Sequence, residues 1–201
     1  EGHSVASLST IQFKIGKETE RRLHKMTMPG RFFVQHFLRR AVTAGCTHAI
    51  IEITSEGAKQ YRHSFLELDA LVFTNLTPEH IESHGSFEKY KQAKLSIATR
   101  LEQSLKRPRY IVANTDDENG QDFLNFKVEN ALSYSLDDLS LYSLHRDSGS
   151  LVFGDVTIRV PLIGLFNVYN ILAAITLARA LGISFNTIDK ALRDIPPVKG
   201  R

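Results

Sequence analysis

The chain is built of short apolar runs that end in polar residues, set between longer stretches of helical period. Residues 5–14 alternate apolar and polar side chains around β-branched positions, which predicts a strand. In "PGRFFVQHFLRRAVTAG" the side chains of Phe33, Val34, Phe37, Leu38 and Val42 recur at helical spacing, and Gly45 closes the helix. "THAIIEITS" reads as a buried strand, followed by a short helical stretch from Glu56. "LDALVFTNL" reads as a second buried strand, residues 86–106 as a long helix, and "RYIVANT" as a third buried strand that runs into the polar "NTDDENG". Strands alternating with helices imply right-handed crossovers and a mainly parallel sheet.

From about 128 to 163 the period changes. "ALSYSL", "LSLYSLHRD", "SLVFGD" and "VTIRVPL" are short strands with turns at Asp137-Asp138, Ser148-Gly149 and Gly154-Asp155, which predicts an antiparallel subsheet. "NVYNILAAITLARALG" is then an Ala-rich amphipathic helix closed by Gly182, and "SFNTIDKALRDI" a further helix capped at Ser184 or Asn186. The expected fold class is α/β: a mostly parallel sheet flanked by helices, with a small antiparallel subsheet near 128–163.

This pattern also places the candidate chemistry. Ligands of open α/β sheets bind beyond the carboxyl ends of the strands, and those ends here carry residues 54–55, 74–77 and 114–117. In "FTNLTPEHIESHGSFEKYKQAK", His80 and His84 have the spacing that puts two imidazoles on one helix face, and with Glu79 or Glu82 they could hold zinc. The order is H-I-E-S-H rather than H-E-x-x-H, however, and Gly85 argues that the helix does not run through. A hard cation is the better alternative, because Glu52 ends one strand and His80 follows the next, at one edge of the sheet. Asp116 and Asp117 fit either a site or a solvated turn. The loop G-x-x-x-x-G-K-[ST] occurs nowhere, and "IGKET" lacks its first Gly and its last hydroxyl.

Composition narrows the partners. The 201 residues carry a net charge of +3 and a pI near 9.0, a weak preference for an anionic ligand such as a nucleotide. There is no polybasic arm with interleaved aromatics, so no nucleic-acid partner is expected. The single cysteine, Cys46, cannot form an internal disulfide, fits a reducing cytosol, and reads as a small buried hydrophobe rather than a nucleophile. No apolar run is long enough to span a membrane and no signal-peptide pattern is present, so a cytoplasmic protein without membrane contact is expected. "EGH" reads as the tail of a helix ending at Gly2, as if an earlier element preceded it.

"MTMPG", "EITSEGAKQYR", "VFTNLTPEHIESHGSFEKYKQAK", "NTDD", "GLFNVYNILAA" and "VKGR" follow one another over nearly the whole chain. In these segments the sequence resembles the central, ATP-binding domain of the Mur ligases, in the branch that adds the third residue of the peptidoglycan stem peptide. The long third segment is the specific one; "NTDD" and "VKGR" are weak alone. The resemblance implies a P-loop NTPase-like sheet whose phosphate loop, strand and first helix lie upstream of "EGHSVASLSTIQFKIG". It also implies a UDP-binding domain before this chain and a C-terminal domain after "VKGR". Residues 1–201 are thus expected to be a central domain cut at its N-terminus, inactive alone, with a gap or an exposed sheet edge where the missing strand would sit.

The roles the resemblance implies can be placed by motif. Glu52 and His80 match residues at the magnesium ions, and Lys94 matches the lysine that the family carbamylates with CO2. These three carry the catalytic and metal roles. Thr27, Thr54, Gln60 and Arg62 match contacts to UDP-N-acetylmuramoyl-dipeptide. Asn167 and Asn170 match the pair near adenine, with Asn114, Asp117 and Arg201 as further nucleotide-side candidates. Met28 stands where many members have a second Thr, Glu56 where relatives often have His, and Glu79 replaces an Asp. The implied activity is an ATP- and magnesium-dependent ligase of peptidoglycan synthesis, acting in the cytoplasm as a monomer. It would join lysine or diaminopimelate to the dipeptide substrate through an acyl phosphate. Three alternatives remain: a folylpolyglutamate or cyanophycin synthetase-type ligase, a zinc hydrolase using His80 and His84, and a non-catalytic scaffold.

Overall fold

The computed structural model describes residues 2–20, 28–77, 81–145, 148–162 and 164–195, without the side chains of Ile81 and Glu82. The chain divides into two compact units: Glu1–Leu68 with Pro78–Leu105, and Asp69–Thr77 with Lys106–Arg201.

The first unit contains strands β1 (Val5–Leu8), β2 (Phe13–Ile15), β3 (Glu18–Glu20) and β4 (His48–Ile51), and helices α1 (Arg31–Thr43), α2 (Ser55–Lys59), α3 (Ile81–His84) and α4 (Phe87–Glu102). Its sheet runs in the order β3-β2-β1-β4. β1 is antiparallel to β2 and parallel to β4, with Leu8 opposite both Phe13 and Ile51. Alternation on β1 buries Ala6 and Leu8; the same face of β2 adds Phe13 and Ile15. Val34, Phe37 and Ala41, at helical spacing on α1, join this core together with Met28 and Leu66. The alternation over 5–14 is therefore a hairpin and not one strand. Ser9 makes its turn: the hydroxyl accepts from the backbone N–H of Ile11 and Gln12.

β4 departs from the expected buried strand. Among the described residues it pairs only with β1, at the sheet edge, and Ile50 is 66% exposed. Val42, expected on the apolar face of α1, is exposed as well.

The second unit contains β5 (Ala70–Phe73), β6 (Tyr110–Asn114), α5 (Gly120–Leu124), β7 (Asn130–Tyr134), a 3-10 turn (Leu136–Asp138), β8 (Leu141–Leu144), β9 (Gly149–Phe153), β10 (Val156–Val160), α6 (Leu165–Ala180) and α7 (Phe185–Arg193). β5, β6 and β7 form a parallel sheet with β6 in the centre, and Ile111, Val112 and Ala113 on β6 are fully buried. β8, β9 and β10 form a separate antiparallel sheet. The expected subsheet is thus corrected at its start, because "ALSYSL" supplies β7 to the parallel sheet. Alternation alone does not distinguish the two pairings; the buried Tyr134 decides it here, with its hydroxyl donating to the Phe73 carbonyl at 3.2 Å. β5, expected to be buried, keeps only Phe73 buried. Val168, Ile171, Leu172 and Ile175 of α6 and Ile188 and Leu192 of α7 complete the core. Gly182 ends α6 at φ +83, with its N–H on Arg179 and that of Ile183 on Ala178, a left-handed turn that glycine adopts without strain. Ser184 caps α7 by accepting from the Thr187 N–H. No helix among the described residues is long and apolar enough to cross a membrane.

Candidate functional site

In the first unit, Glu52 lies one residue past β4. Its N–H donates to the Leu8 carbonyl at 2.8 Å and continues the ladder, while its Oε2 accepts from the Thr10 N–H at 2.6 Å. The β1–β2 turn therefore fixes this carboxylate at the carboxyl end of the two parallel strands. A carboxylate has about four lone-pair sites, and this bond takes one.

Two residues on, Thr54 caps α2, its hydroxyl accepting from the Gly57 N–H at 3.1 Å. α2 ends in a reverse turn: the Tyr61 N–H bonds the Ala58 carbonyl and the Arg62 N–H bonds the Gly57 carbonyl. Tyr61 holds the left-handed position at φ 54 and folds Arg62 back toward the helix. Arg62 Nε then donates to Gln60 Oε1 at 3.1 Å, and its Nη1 donates to the Met28 carbonyl. Gln60 Nε2 donates to Glu56 Oε1 at 2.5 Å. Thr54, Gln60 and Arg62, expected on the substrate side, are thus gathered on one short helix and its turn. Met28 is buried against Gly57, where a Cβ would come within 3.0 Å of its Sδ. The departure from Thr at this position fills a core site.

Gly85, at φ +81, separates α3 from α4, and Ser86 caps α4 by accepting from the Lys89 N–H. His84 is buried, its Nε2 3.1 Å from Ser55 Oγ and its ring 5.2 Å from that of Tyr90. One turn along α4, Lys94 Nζ stands 5.4 Å from the centroid of the buried Tyr90 ring, and Lys94 is half-buried. His84 therefore packs between α2 and α4, which weakens the zinc alternative built on it. Among the described residues no group of three or more His, Cys, Asp or Glu is placed to hold a metal ion.

In the second unit the "NTDD" loop ties strand ends together. Asn114 is buried; its Nδ2 donates to the Thr74 carbonyl at 3.0 Å and its Oδ1 accepts from the Asp116 N–H. Asp117 accepts from the Leu76 N–H on Oδ2 and from the Asn119 N–H and Nδ2 on Oδ1. Asp116 Oδ2 accepts from the Leu136 N–H at 2.8 Å and from the Tyr169 hydroxyl at 3.0 Å. Burial, and then the bond to Asp116, push the Tyr169 phenol up to about 12. Asn170 Nδ2 lies 3.5 Å from Asn167 Oδ1 near the start of α6, whose N-cap is Gly164 rather than Asn167. Thr27, His80 and Arg201 lie outside the described residues.

Residues 2–178 match the Mur ligase middle domain family. The chain belongs to that family. It is similar to the UDP-N-acetylmuramoyl-L-alanyl-D-glutamate--2,6-diaminopimelate ligase of Bacillus cereus, at 31% identity over 100% of this chain and 43% of the relative. It is also similar to the UDP-N-acetylmuramoyl-L-alanyl-D-glutamate--L-lysine ligase of Staphylococcus aureus strain MW2, at 29% identity over 98% of this chain and 41% of the relative. The chain thus spans less than half the length of these curated relatives. A solved structure of a diaminopimelate ligase shares the fold, with a TM-score of 0.80 and 23% identity over 99% of this chain and 42% of that one.

Sequence reasoning missed the Glu56–Gln60 contact and the engagement of Asp116 by Tyr169. The i, i+4 spacing of Glu56 and Gln60 on a helix could have signalled the first; the second joins residues 53 apart in sequence and has no local signal.

Proposed function

We propose that this chain is the ATP- and magnesium-handling part of a cytoplasmic, monomeric ligase of peptidoglycan synthesis. It would join lysine or diaminopimelate to UDP-N-acetylmuramoyl-dipeptide. The observation that carries the reading is the family match over residues 2–178, in a chain similar along its whole length to ligases of that named activity. On the same reading residues 1–201 are a central domain, flanked in the whole protein by the UDP-binding and C-terminal domains.

Glu52, His80 and the carbamate of Lys94 would hold the magnesium ions. The position of Glu52 supports this: a hard oxygen donor fixed at the carboxyl end of parallel strands suits a cation that is completed by water and phosphate. Lys94 would enter the set after its neutral amine adds CO2, forming an N–C bond and releasing a proton, so that a cation becomes an anionic oxygen ligand. Bound magnesium and ATP would supply charge neutralisation and the phosphoryl group for the substrate carboxylate. Thr54, Gln60 and Arg62, with Thr27, would hold the muramyl-dipeptide end, where the planar guanidinium of Arg62 suits a carboxylate. Asn167 and Asn170 can each donate to and accept from an adenine edge. Asn114, Asp117 and Arg201 would complete the nucleotide side, with Asn114 and Asp117 acting by shaping the loop.

The test is ligation by the protein that carries this sequence. It is incubated with UDP-N-acetylmuramoyl-L-alanyl-D-glutamate, magnesium and ATP, with lysine and diaminopimelate offered separately. Tripeptide product and ADP with one of them support the reading. A folded protein that forms product with neither would sink it.

A further inference from the structure

Glu56, Gln60 and Arg62 form a chain with a defined chemical polarity. A carboxylate can only accept hydrogen bonds, and a guanidinium can only donate them. The amide between them must therefore turn its NH2 toward Glu56 and its oxygen toward Arg62. That is the arrangement present: Gln60 Nε2 donates to Glu56 Oε1 at 2.5 Å, and Arg62 Nε donates to Gln60 Oε1 at 3.1 Å, joined by Nη2 on the same oxygen. The backbone turn at Tyr61 brings Arg62 back to make these bonds. Glu56 carries a second feature. Its Oε2 is buried and, among the described residues, has no hydrogen-bond partner. A buried carboxylate oxygen without a donor costs the fold stability, so packing alone gives no reason for an acid at this position.

We propose that Glu56 is a positioning residue: it fixes the Gln60 amide in one orientation and through it aims the Arg62 guanidinium at the carboxylate end of the muramyl-dipeptide. The ligand part rests on the function proposed above. With Glu56 in place, the amide has one orientation that satisfies both neighbours. With glutamine at 56, the amide can flip, present NH2 to Arg62 and release it. Arg62 would then keep its charge and its Nη1 bond to the Met28 carbonyl, and lose the Nε and Nη2 bonds to Gln60 that help set the plane of its guanidinium.

The experiment uses the protein that carries this sequence, labelled with nitrogen-15, comparing wild type with Glu56→Gln, and with Glu56→Ala should the first fold poorly. The first readout is solvent exchange of the Arg62 Nε–H. The expected result is exchange faster by about tenfold in the variant, the factor that one ordinary hydrogen bond represents, with an unchanged melting temperature. Unchanged exchange in both variants would overturn the proposal. The second readout is titration with UDP-N-acetylmuramoyl-L-alanyl-D-glutamate. The expected result is shifts at Gln60 and Arg62 in wild type and binding weaker by about tenfold in Glu56→Gln. Equal binding by the two proteins overturns the aiming of Arg62. Faster exchange with no ligand shift even in wild type supports the amide lock and instead removes the muramyl ligand, and with it the ligase reading of this site.

Discussion

Gly120 and Asn114 are packed so closely that a Cβ at position 120 would lie 1.9 Å from the Asn114 carbonyl oxygen. The obstacle is backbone at the end of the central strand β6, so no side-chain rotation relieves it. Moving it would disturb the bonds from Asn114 to Thr74 and Asp116. Gly120→Ala is therefore expected to destabilise the second unit by about 1–3 kcal/mol or more, as overpacking does. Urea unfolding checks it: the midpoint should fall without a change in slope. A midpoint equal to wild type would mean that the loop yields freely.

The bond from the Tyr169 hydroxyl to Asp116 ties α6 to the "NTDD" loop across 53 residues of sequence. Tyr169→Phe deletes it and should cost about 0.5–1.5 kcal/mol, the ordinary net value, because Asp116 is exposed. The pH dependence has a definite sign. The folded phenol is raised to about 12, above its usual value near 10. Its contribution is fully present below pH 10 and is lost as pH rises from about 10 to 12. Absorbance titration of the tyrosinate band in wild type and Tyr169→Phe isolates this group. A Tyr169 that ionises near pH 10 in the folded protein would contradict the geometry.

His63 is 4% exposed, and among the described residues its Nδ1 has no hydrogen-bond partner. Burial is the largest cause and lowers its pKa; the bond it makes to the Ser96 backbone opposes this, and the nearby Arg100 charge lowers it further. The unfolded ring takes up a proton near pH 6.5 while the folded ring resists. The unfolded state then binds more protons, so stability is full above that pH and falls as pH drops toward the lowered folded value. Melting temperature followed from pH 8 to 5 should show this loss in wild type and a flatter profile in His63→Leu. Parallel profiles would show that another group controls the acid limb.

The parts of this molecule that were legible in sequence share one property: their signal is local. The apolar run of β6 survives because a central parallel strand is buried on both faces. Gly182 and Ser184 mark their helix end and cap because backbone geometry demands such residues there. The β1–β2 hairpin was hidden because its turn is made by Ser9 without Gly or Pro. The sheet that β7 joins is not legible in sequence, because alternation reports a strand's faces and says nothing about its partner. The roles proposed for Glu52 and Lys94 come from motifs, since spacing alone gives an exposed lysine and one more strand-end carboxylate. The Glu56–Gln60–Arg62 chain was half visible: each residue stood in the quoted segment, but the orphaned oxygen and the turn at Tyr61 exist only in three dimensions.

Lys94 offers the sharpest test of the metal side of the proposed site. Its ammonium lies 5.4 Å from the centroid of the buried Tyr90 ring, whose negative face favours a cation. Such a contact is worth about 0.5–2 kcal/mol, and it opposes conversion of the amine to an anion. The proposed carbamylation would therefore need a cation on the other side to drive it, which on this reading is magnesium. In the protein that carries this sequence, carbon-13 bicarbonate should give a carbamate signal that grows as magnesium is added. Lys94→Arg should abolish it, because the guanidinium stays protonated. Tyr90→Leu, if folded, should raise the signal at low magnesium by relieving the opposing contact. No signal in wild type at saturating magnesium, or one that persists in Lys94→Arg, would remove Lys94 from the ligand set and leave Glu52 and His80 as the residues to hold the ions.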